Sequence, residues 1–127
     1  MTTIKVSADC GNSPKNLLLK DFSLAFARGD SGFILSRVSD DIVWTMAGDR
    51  ELRGRDEFTS ELDMIPLGRV KEIEISHVIS HGKAGAVDGR ITLMDGGLLF
   101  CCGIFKFSSA KGDRISHITS YVIKVDP

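Results

Sequence analysis

The sequence lacks the features that mark several broad classes of protein. No apolar run approaches the roughly 20 residues that a membrane-spanning helix needs, and the first five residues show no basic region followed by an apolar stretch. We therefore expect a cytoplasmic protein without a membrane partner. The 16 lysines and arginines nearly balance the 17 aspartates and glutamates, and they are scattered along the chain. Without a basic stripe, nucleic acid is not an expected partner.

Metal ligands are also scarce. The three cysteines include the adjacent pair Cys101-Cys102, and adjacent side chains on a strand point to opposite faces, so the two are badly placed to share a metal or a disulfide. His77 and His81 are four residues apart, which on a strand separates them by roughly 13 Å. Zinc ligands need to meet at one ion, and His117 has no local partner. We expect no metal and no cofactor.

What is present suits one globular domain. The chain has 127 residues, of which 43% are hydrophobic and 26% are charged, and it contains neither a repeat nor a linker. We expect a single domain over residues 1–127, with a core from about 14 to 125 and with residues 1–12 as a tail or an edge segment.

The first half of the chain carries the signals of three helices. Ser13 is a favourable N-cap before Pro14, and Gly29 suits the end of the same helix. The helices are expected from Pro14 to Gly29, from Ser31 to Arg37 and from Gly54 to Pro66, with a turn at Asp40-Asp41 and a strand from Ile42 to Met46 before the third.

The second half reads as strands. From Val70 the period of the hydrophobic residues changes from about 3.6 to 2, and Asp95-Gly96 is a favoured hairpin dipeptide. The expected strands are Val70 to Ser80, Ala84 to Met94, Leu98 to Phe107 and Arg114 to Val125. Helices followed by an antiparallel meander predict an α+β fold, in which the N-terminal helices pack on a curved, mostly antiparallel sheet.

Two stretches carry a resemblance to a known superfamily. Residues 40–48 and 54–58 follow a SnoaL-like pattern of acidic turn, strand with Trp44, and glycine at a helix start, and residues 115–123 are similar to the last strand of a bacterial SnoaL-like subgroup without a settled activity. From Pro14 to Val125 the chain resembles the nuclear transport factor 2-like (NTF2-like) superfamily. The resemblance implies a cystatin-like, cone-shaped α+β roll around an apolar pocket, and a homodimer through the sheet face.

The resemblance does not imply one activity, because this scaffold hosts isomerases, cyclases, epoxide hydrolases, dehydratases and binding modules. In the ketosteroid isomerase pattern, the general base falls on Thr45, the oxyanion-hole tyrosine on Phe22 and the protonated aspartic acid on Gly103, and none of these residues can fill the role. Epoxide hydrolase relatives use an inward Asp-Arg-Asp set. Here Asp88 and Arg90 are expected on the solvent face as ion-paired side chains.

His77 is the best single candidate for catalysis. Strict alternation from Ile73 through Ile75 and His77 to Ile79 places the imidazole on the inward face of its strand. There it could serve as an acid–base residue near neutral pH, or it could be a core histidine satisfied by a neighbouring group. Tyr121 is the expected hydroxyl donor near the mouth of the pocket.

The predicted pocket wall combines aromatic, apolar and small residues. They are Phe22, Phe26, Trp44, Thr45, Met46, Phe58, Leu62, His77, Gly103, Phe105 and Tyr121. Three functions remain open: a SnoaL-like binding protein for a small apolar molecule, a cyclase, isomerase or dehydratase acting on a hydrophobic carbonyl compound, and a homodimeric interaction module.

Overall fold

The computed structural model describes residues 2–7, 11–64, 69–109 and 111–125. Over these ranges the chain forms three helices and seven strands. The helices are α1 (Pro14–Arg28), α2 (Ser31–Ser36) and α3 (Gly54–Met64). The strands are β1 (Thr3–Val6), β2 (Val38–Met46), β3 (Arg50–Arg53), β4 (Val70–His81), β5 (Ala84–Leu93), β6 (Leu98–Phe107) and β7 (Ile115–Val125).

One sheet holds these strands in the order β1-β4-β5-β6-β7-β2-β3. Strands β4 to β7 form the antiparallel meander that the sequence predicts. At one edge β1 pairs with β4 in parallel, and toward the other edge β2 pairs with β7 in parallel and with β3 antiparallel. The fold is therefore α+β with a mostly antiparallel sheet, as predicted.

Helix α1 has the boundaries that its capping residues predict. The Ser13 Oγ accepts a hydrogen bond from the backbone N–H of Asn16 at 3.1 Å, and Gly29 adopts a left-handed φ of 74° that glycine tolerates without strain. Leu19 and Phe22 are buried on the face of the helix that packs against β4 and β5. Helix α1 thus covers one part of the sheet.

Helix α3 covers another part of the same face. It packs on β2 and β3, and its Phe58 lies 5.4 Å, between ring centroids, from Trp44 of β2. Trp44 also lies 5.8 Å from Phe26 of α1. Since one indole ring touches both helices, the core lies between the helices and what we call the inner face of the sheet. Within the described ranges, no helix is long and apolar enough to cross a membrane.

The structure differs from the sequence predictions at β2 and β3. Thr3–Val6 forms the edge strand β1, in line with the expected edge segment, whereas β3 was not predicted, because its polar tetrapeptide gives no alternation signal. The turn expected at Asp40-Asp41 is wrong, because both residues lie within β2, where the register against β7 shifts between Val38 and Val43. The expected end of α3 at Pro66 lies outside the described residues.

Strand β4 has one residue more than β5 at the middle of their pairing. Ile75 is opposite Gly89 and His77 is opposite Asp88, so Ser76 is the extra residue of a β-bulge. An extra residue exchanges the two faces for every side chain beyond it. Strict alternation along β4 therefore fails after Ile75.

The exchange is visible in the burial of the strand. Ile73 and Ile75 are buried before the bulge, and Val78 is the next buried residue after it. His77 and Ile79 are consequently exposed on the opposite, outer face of the sheet. The prediction that these two residues point inward is wrong.

Gly89 permits the bulge because it has no side chain. A Cβ atom at this position would lie 2.0 Å from the carbonyl oxygen of Glu74 and 3.1 Å from the Cα of Ile75. Both are backbone atoms, so neither can move aside without shifting β4. Glycine inside a strand often marks a bulge or a close approach of two backbones, and here it marks both.

We predict that Gly89→Ala lowers the free energy of unfolding by about 2–3 kcal/mol, the scale of a forced steric insertion. Urea unfolding followed by circular dichroism measures the change. Gly32→Ala in α2 is the matched control, since its Cβ would meet nothing closer than the Asp30 carboxylate oxygen at 3.8 Å. The control should be neutral or slightly stabilising, and equal stabilities for the two variants would contradict the steric role of Gly89.

Candidate functional site

A cavity of about 210 Å³ lies between α1 and the inner face of the sheet. Strands β2 and β4 to β7 supply most of its wall, and α1 covers it. The side chains that face it are Phe22, Ser23 and Phe26 of α1, Trp44 of β2, Ile73 and Ile75 of β4, Val87 and Ile91 of β5, Cys101 and Phe105 of β6, and Ile118, Ser120 and Val122 of β7, with Gly89 and Gly103 between them. This wall is almost wholly apolar.

Aromatic rings form one side of the cavity. Phe26 packs edge-on against both Phe22 (centroids 5.4 Å apart) and Trp44 (5.8 Å). Phe22 in turn meets Phe105 at 6.0 Å with the rings almost perpendicular. Edge-to-face contacts of this kind add to the burial of each ring, so this side of the cavity is a packed surface.

Gly103 is part of the same arrangement. A Cβ atom at Gly103 would lie 2.9 Å from the ring of Phe105, two residues further along β6. The Phe105 ring therefore lies across the glycine and reaches Phe22. Two of the positions at which the ketosteroid isomerase pattern has polar groups, Phe22 and Gly103, are here filled by an aromatic pair.

The third such position does not face the cavity at all. Thr45 points to the outer face, where its hydroxyl donates a hydrogen bond to Glu51 of β3 at 3.2 Å. The prediction that Thr45 lines the pocket is wrong, because the inward residues of β2 are its neighbours Trp44 and Met46. Neither of these neighbours carries a group that could act as a general base.

The charged residues along the wall turn their side chains away from the cavity. Arg90 pairs with Glu74 on the outer face, with Nη2 3.1 Å from Oε1, and Asp88 pairs with His77 there. Asp88 and Arg90 thus lie on the outer face, as predicted, although each pairs with a residue of β4 rather than with the other. Glu61 of α3 is the single buried charged side chain in the part of the chain that the structure describes, and it is ion-paired with Arg50 away from the cavity wall.

His77 is excluded from the cavity by the bulge. Its side chain is 75% exposed, and its Nδ1 lies 2.8 Å from the Asp88 carboxylate. It borders a second depression, on the outer face, together with Phe100, Cys102 and Tyr121. The prediction of an inward His77 is wrong, since Ser76 shifts the alternation of β4 by one residue.

Tyr121 points to the face of the sheet opposite to the one predicted. Its neighbour Ser120 accepts a hydrogen bond from the Trp44 indole N–H at 2.7 Å, which fixes Ser120 on the inner face. Adjacent side chains on a strand alternate, so the Tyr121 phenol is exposed on the outer face and only its main chain follows the cavity. The hydroxyl at the cavity belongs to Ser120.

The other predicted wall residues fall into two groups. Phe22, Phe26, Trp44, Gly103 and Phe105 lie on the wall. Met46, Phe58 and Leu62 belong to the hydrophobic core, with Phe58 and Leu62 fully covered, and they do not border the cavity.

Several wall residues were not predicted from the sequence. Alternation already places Val87 and Ile91 inward, yet nothing in the sequence says that the cavity extends along β5. The inward position of Ser120 could be predicted only if the face of Tyr121 were known. The inward position of Cys101 could be predicted only if the register of β6 were known. These positions depend on strand pairing, which a single sequence does not specify.

Cys101 is the one titratable side chain that the described part of the wall turns inward. Burial raises the pKa of its thiol to about 11. The thiol is therefore neutral near pH 7 and behaves as a small apolar group, because only the thiolate is a strong nucleophile or metal ligand. Among the described residues, no cluster of three or more histidine, cysteine, aspartate or glutamate side chains could hold a metal.

No protein-family model matches the sequence, and a search of curated proteins found no match. Solved structures do match. An NTF2-like protein of unknown function from Burkholderia xenovorans LB400 is 19% identical, with a TM-score of 0.73 over 89% of this chain and 84% of that one. A Shewanella denitrificans OS-217 protein assigned as a SnoaL-like polyketide cyclase is 16% identical, with a TM-score of 0.72 over 87% of this chain and 92% of that one.

A third similar structure is an LEH-like epoxide hydrolase of M. tuberculosis, which is 22% identical, with a TM-score of 0.68 over 84% of this chain and 80% of that one. The chain therefore has the NTF2-like fold, and the fold that the sequence resemblance implied is confirmed. Likeness at such low identity concerns the fold, and function has to be argued from the site itself.

Proposed function

We propose that the protein is a non-catalytic binding protein for a small apolar molecule, held in the cavity between α1 and the inner face of the sheet. The observation that carries the proposal is the composition of the wall. It is built mainly from aromatic and aliphatic side chains. Cys101, the one ionisable side chain that its described part turns inward, is neutral because burial raises its pKa to about 11. A cytoplasmic location stays a prediction.

The size of the cavity bounds the ligand. Most small-molecule pockets measure roughly 300–1,000 Å³, whereas this cavity measures about 210 Å³, so the proposed ligand is compact. A hydrocarbon that buries about 150 Å² would gain roughly 4 kcal/mol, which corresponds to a dissociation constant near 1 mM. Weak binding of simple probes is therefore expected.

The enzyme hypothesis loses the residue on which it depended. An acid–base role for His77 requires the imidazole to reach a ligand in the cavity, but its side chain is on the outer face, beside Asp88. The Asp88 and Arg90 side chains point to that face too, so the inward set expected of an epoxide hydrolase is not supported. Binding without catalysis is the function that the wall supports best.

We predict that Cys101→Met, which extends a side chain into the cavity, weakens the binding of toluene about tenfold. That factor equals 1.4 kcal/mol, or about 55 Å² of lost apolar contact at 25 cal/mol per Å². The fluorescence of Trp44, the single tryptophan and a wall residue, reports binding. Cys102→Met is the matched control, since adjacent strand residues face opposite ways, and it should leave the affinity unchanged.

Two results would contradict the proposal. The first is an absence of toluene binding to the wild-type protein up to the solubility limit of the probe. The second is an equal loss of affinity in both variants, which would place the probe somewhere other than the inner cavity.

We further propose a homodimer that forms through the outer face of the sheet. Five large apolar side chains on this face, between 42% and 65% exposed, are Ile79 of β4, Phe100 and Ile104 of β6, and Tyr121 and Ile123 of β7. Ala86 of β5 pairs with both Ile79 and Ile104 and joins them into one surface. Monomeric proteins rarely expose a contiguous apolar surface of this kind.

The surroundings of the apolar surface suit an interface with a second copy. An ion pair between Arg90 and Glu74 and a hydrogen bond between His77 and Asp88 lie at its border, in the manner of the polar rim of a protein interface. A two-fold dimer needs only one surface that packs against itself. A second copy of the chain therefore satisfies the requirement without any other partner.

We predict that the wild-type protein sediments as a dimer at micromolar concentration and that Ile104→Lys, which places a charge in the apolar surface, makes it a monomer. Met94→Lys is the control, because Met94 is at least as exposed as Ile104 but lies in the turn after β5. A wild-type monomer in sedimentation velocity would rule out the dimer.

A further inference from the structure

Among the described residues, Ser120 carries the one hydroxyl that the sheet turns into the cavity. Its Oγ accepts a hydrogen bond from the Trp44 indole N–H at 2.7 Å. An indole nitrogen can only donate, whereas a serine hydroxyl has one hydrogen atom in addition to its two acceptor sites. The contact with Trp44 therefore leaves the hydrogen atom of Ser120 unused.

No group among the described residues accepts a hydrogen bond from the Ser120 hydroxyl, which accepts one from Trp44. A hydroxyl that accepts one hydrogen bond becomes a better donor of the next, because chains of hydrogen bonds polarise one another. The other serine of the wall, Ser23, differs in this respect, since its hydroxyl donates to the Leu19 carbonyl within α1 at 2.9 Å. Ser120 thus supplies an available donor to an otherwise apolar space.

The wall offers no charge to a ligand. Glu74, Asp88 and Arg90 run along the cavity, but their side chains pair on the outer face. Moving an ionised group from water into an apolar site without a partner is strongly unfavourable. A charged ligand is therefore excluded on physical grounds, whichever sign it carries.

We infer that the cavity selects an uncharged, mainly apolar molecule with one hydrogen-bond acceptor, and that the Ser120 hydroxyl donates to that acceptor. Ser120 is then the residue that orients the ligand, and Trp44 positions Ser120. This inference rests on the proposed binding function of the cavity, and its test separates the failure of one from the failure of the other.

The test compares three compact probes that differ at one group. Cyclohexanone has an acceptor oxygen, methylenecyclohexane has the same shape without an acceptor, and cyclohexanecarboxylate has a negative charge. Binding is followed by NMR titration of the Trp44 indole N–H resonance, which is unique because the chain has one tryptophan. This resonance belongs to the group that bonds to Ser120.

Three variants isolate the hydroxyl. Ser120→Ala removes it, Ser120→Thr retains it, and Thr119→Val removes the neighbouring hydroxyl on the outer face of β7. Ser120→Ala should weaken cyclohexanone binding about fivefold, the value of one neutral hydrogen bond, and should leave the affinity for methylenecyclohexane unchanged. Ser120→Thr should keep the wild-type ratio of affinities for cyclohexanone and methylenecyclohexane, because it keeps the hydroxyl. Thr119→Val should bind both neutral probes as the wild type does, and the carboxylate should not bind.

Each of the other outcomes would contradict one specific claim. If both neutral probes bind and Ser120→Ala affects them equally, Ser120 is not the donor, although the cavity still binds apolar molecules. If the carboxylate binds as tightly as cyclohexanone, the selection for uncharged ligands is wrong. If neither neutral probe binds the wild-type protein, the proposed function fails and this inference fails with it. Circular dichroism confirms that Ser120→Ala is folded before any titration is interpreted.

Discussion

The close approach of β4 to Gly89 determines which side chains meet the cavity. Where the backbones of the two strands come together, β4 accommodates the extra residue Ser76, and the alternation of its side chains shifts by one place. Val78 then completes the buried surface, while His77 joins Asp88 on the outer face. A side chain at position 89 would push the two strands apart. Their close approach, which accompanies the shift in the alternation of β4, would then be lost. The exclusion of His77 from the cavity thus follows from one backbone contact.

The aromatic side of the cavity has rings at two positions where the ketosteroid isomerase pattern has polar groups. Phe105 lies across Gly103 and meets Phe22, so rings occupy the region where ketosteroid isomerase relatives are expected to have polar groups. Edge-to-face packing stabilises such rings but offers nothing that could move a proton. The space that remains is bounded by Cys101, whose thiol is neutral, and by Ser120, whose hydroxyl bonds to Trp44. Such a wall can hold and orient an uncharged molecule.

Much of the fold could be predicted from the sequence, because its signals are local. Ser13 and Gly29 delimit α1 through hydrogen bonding and backbone conformation, and the alternation of apolar residues identifies the four strands of the meander. The candidate site was less predictable, since it depends on which face each strand presents. A single extra residue in β4 reverses the orientation of His77, and an error of one residue exchanges Tyr121 with Ser120. Gly89, inside a strand, was the one local sign of the bulge.

The orientation of His77 tests the account most directly. In the isotopically labelled protein, nuclear Overhauser contacts from the imidazole protons identify the neighbours of the ring. The account predicts contacts to the Asp88 side chain and none to Phe26 or Ile75, because the bulge turns the imidazole to the outer face. Contacts from His77 to Phe26 or Ile75 would place the imidazole in the cavity and would contradict the account.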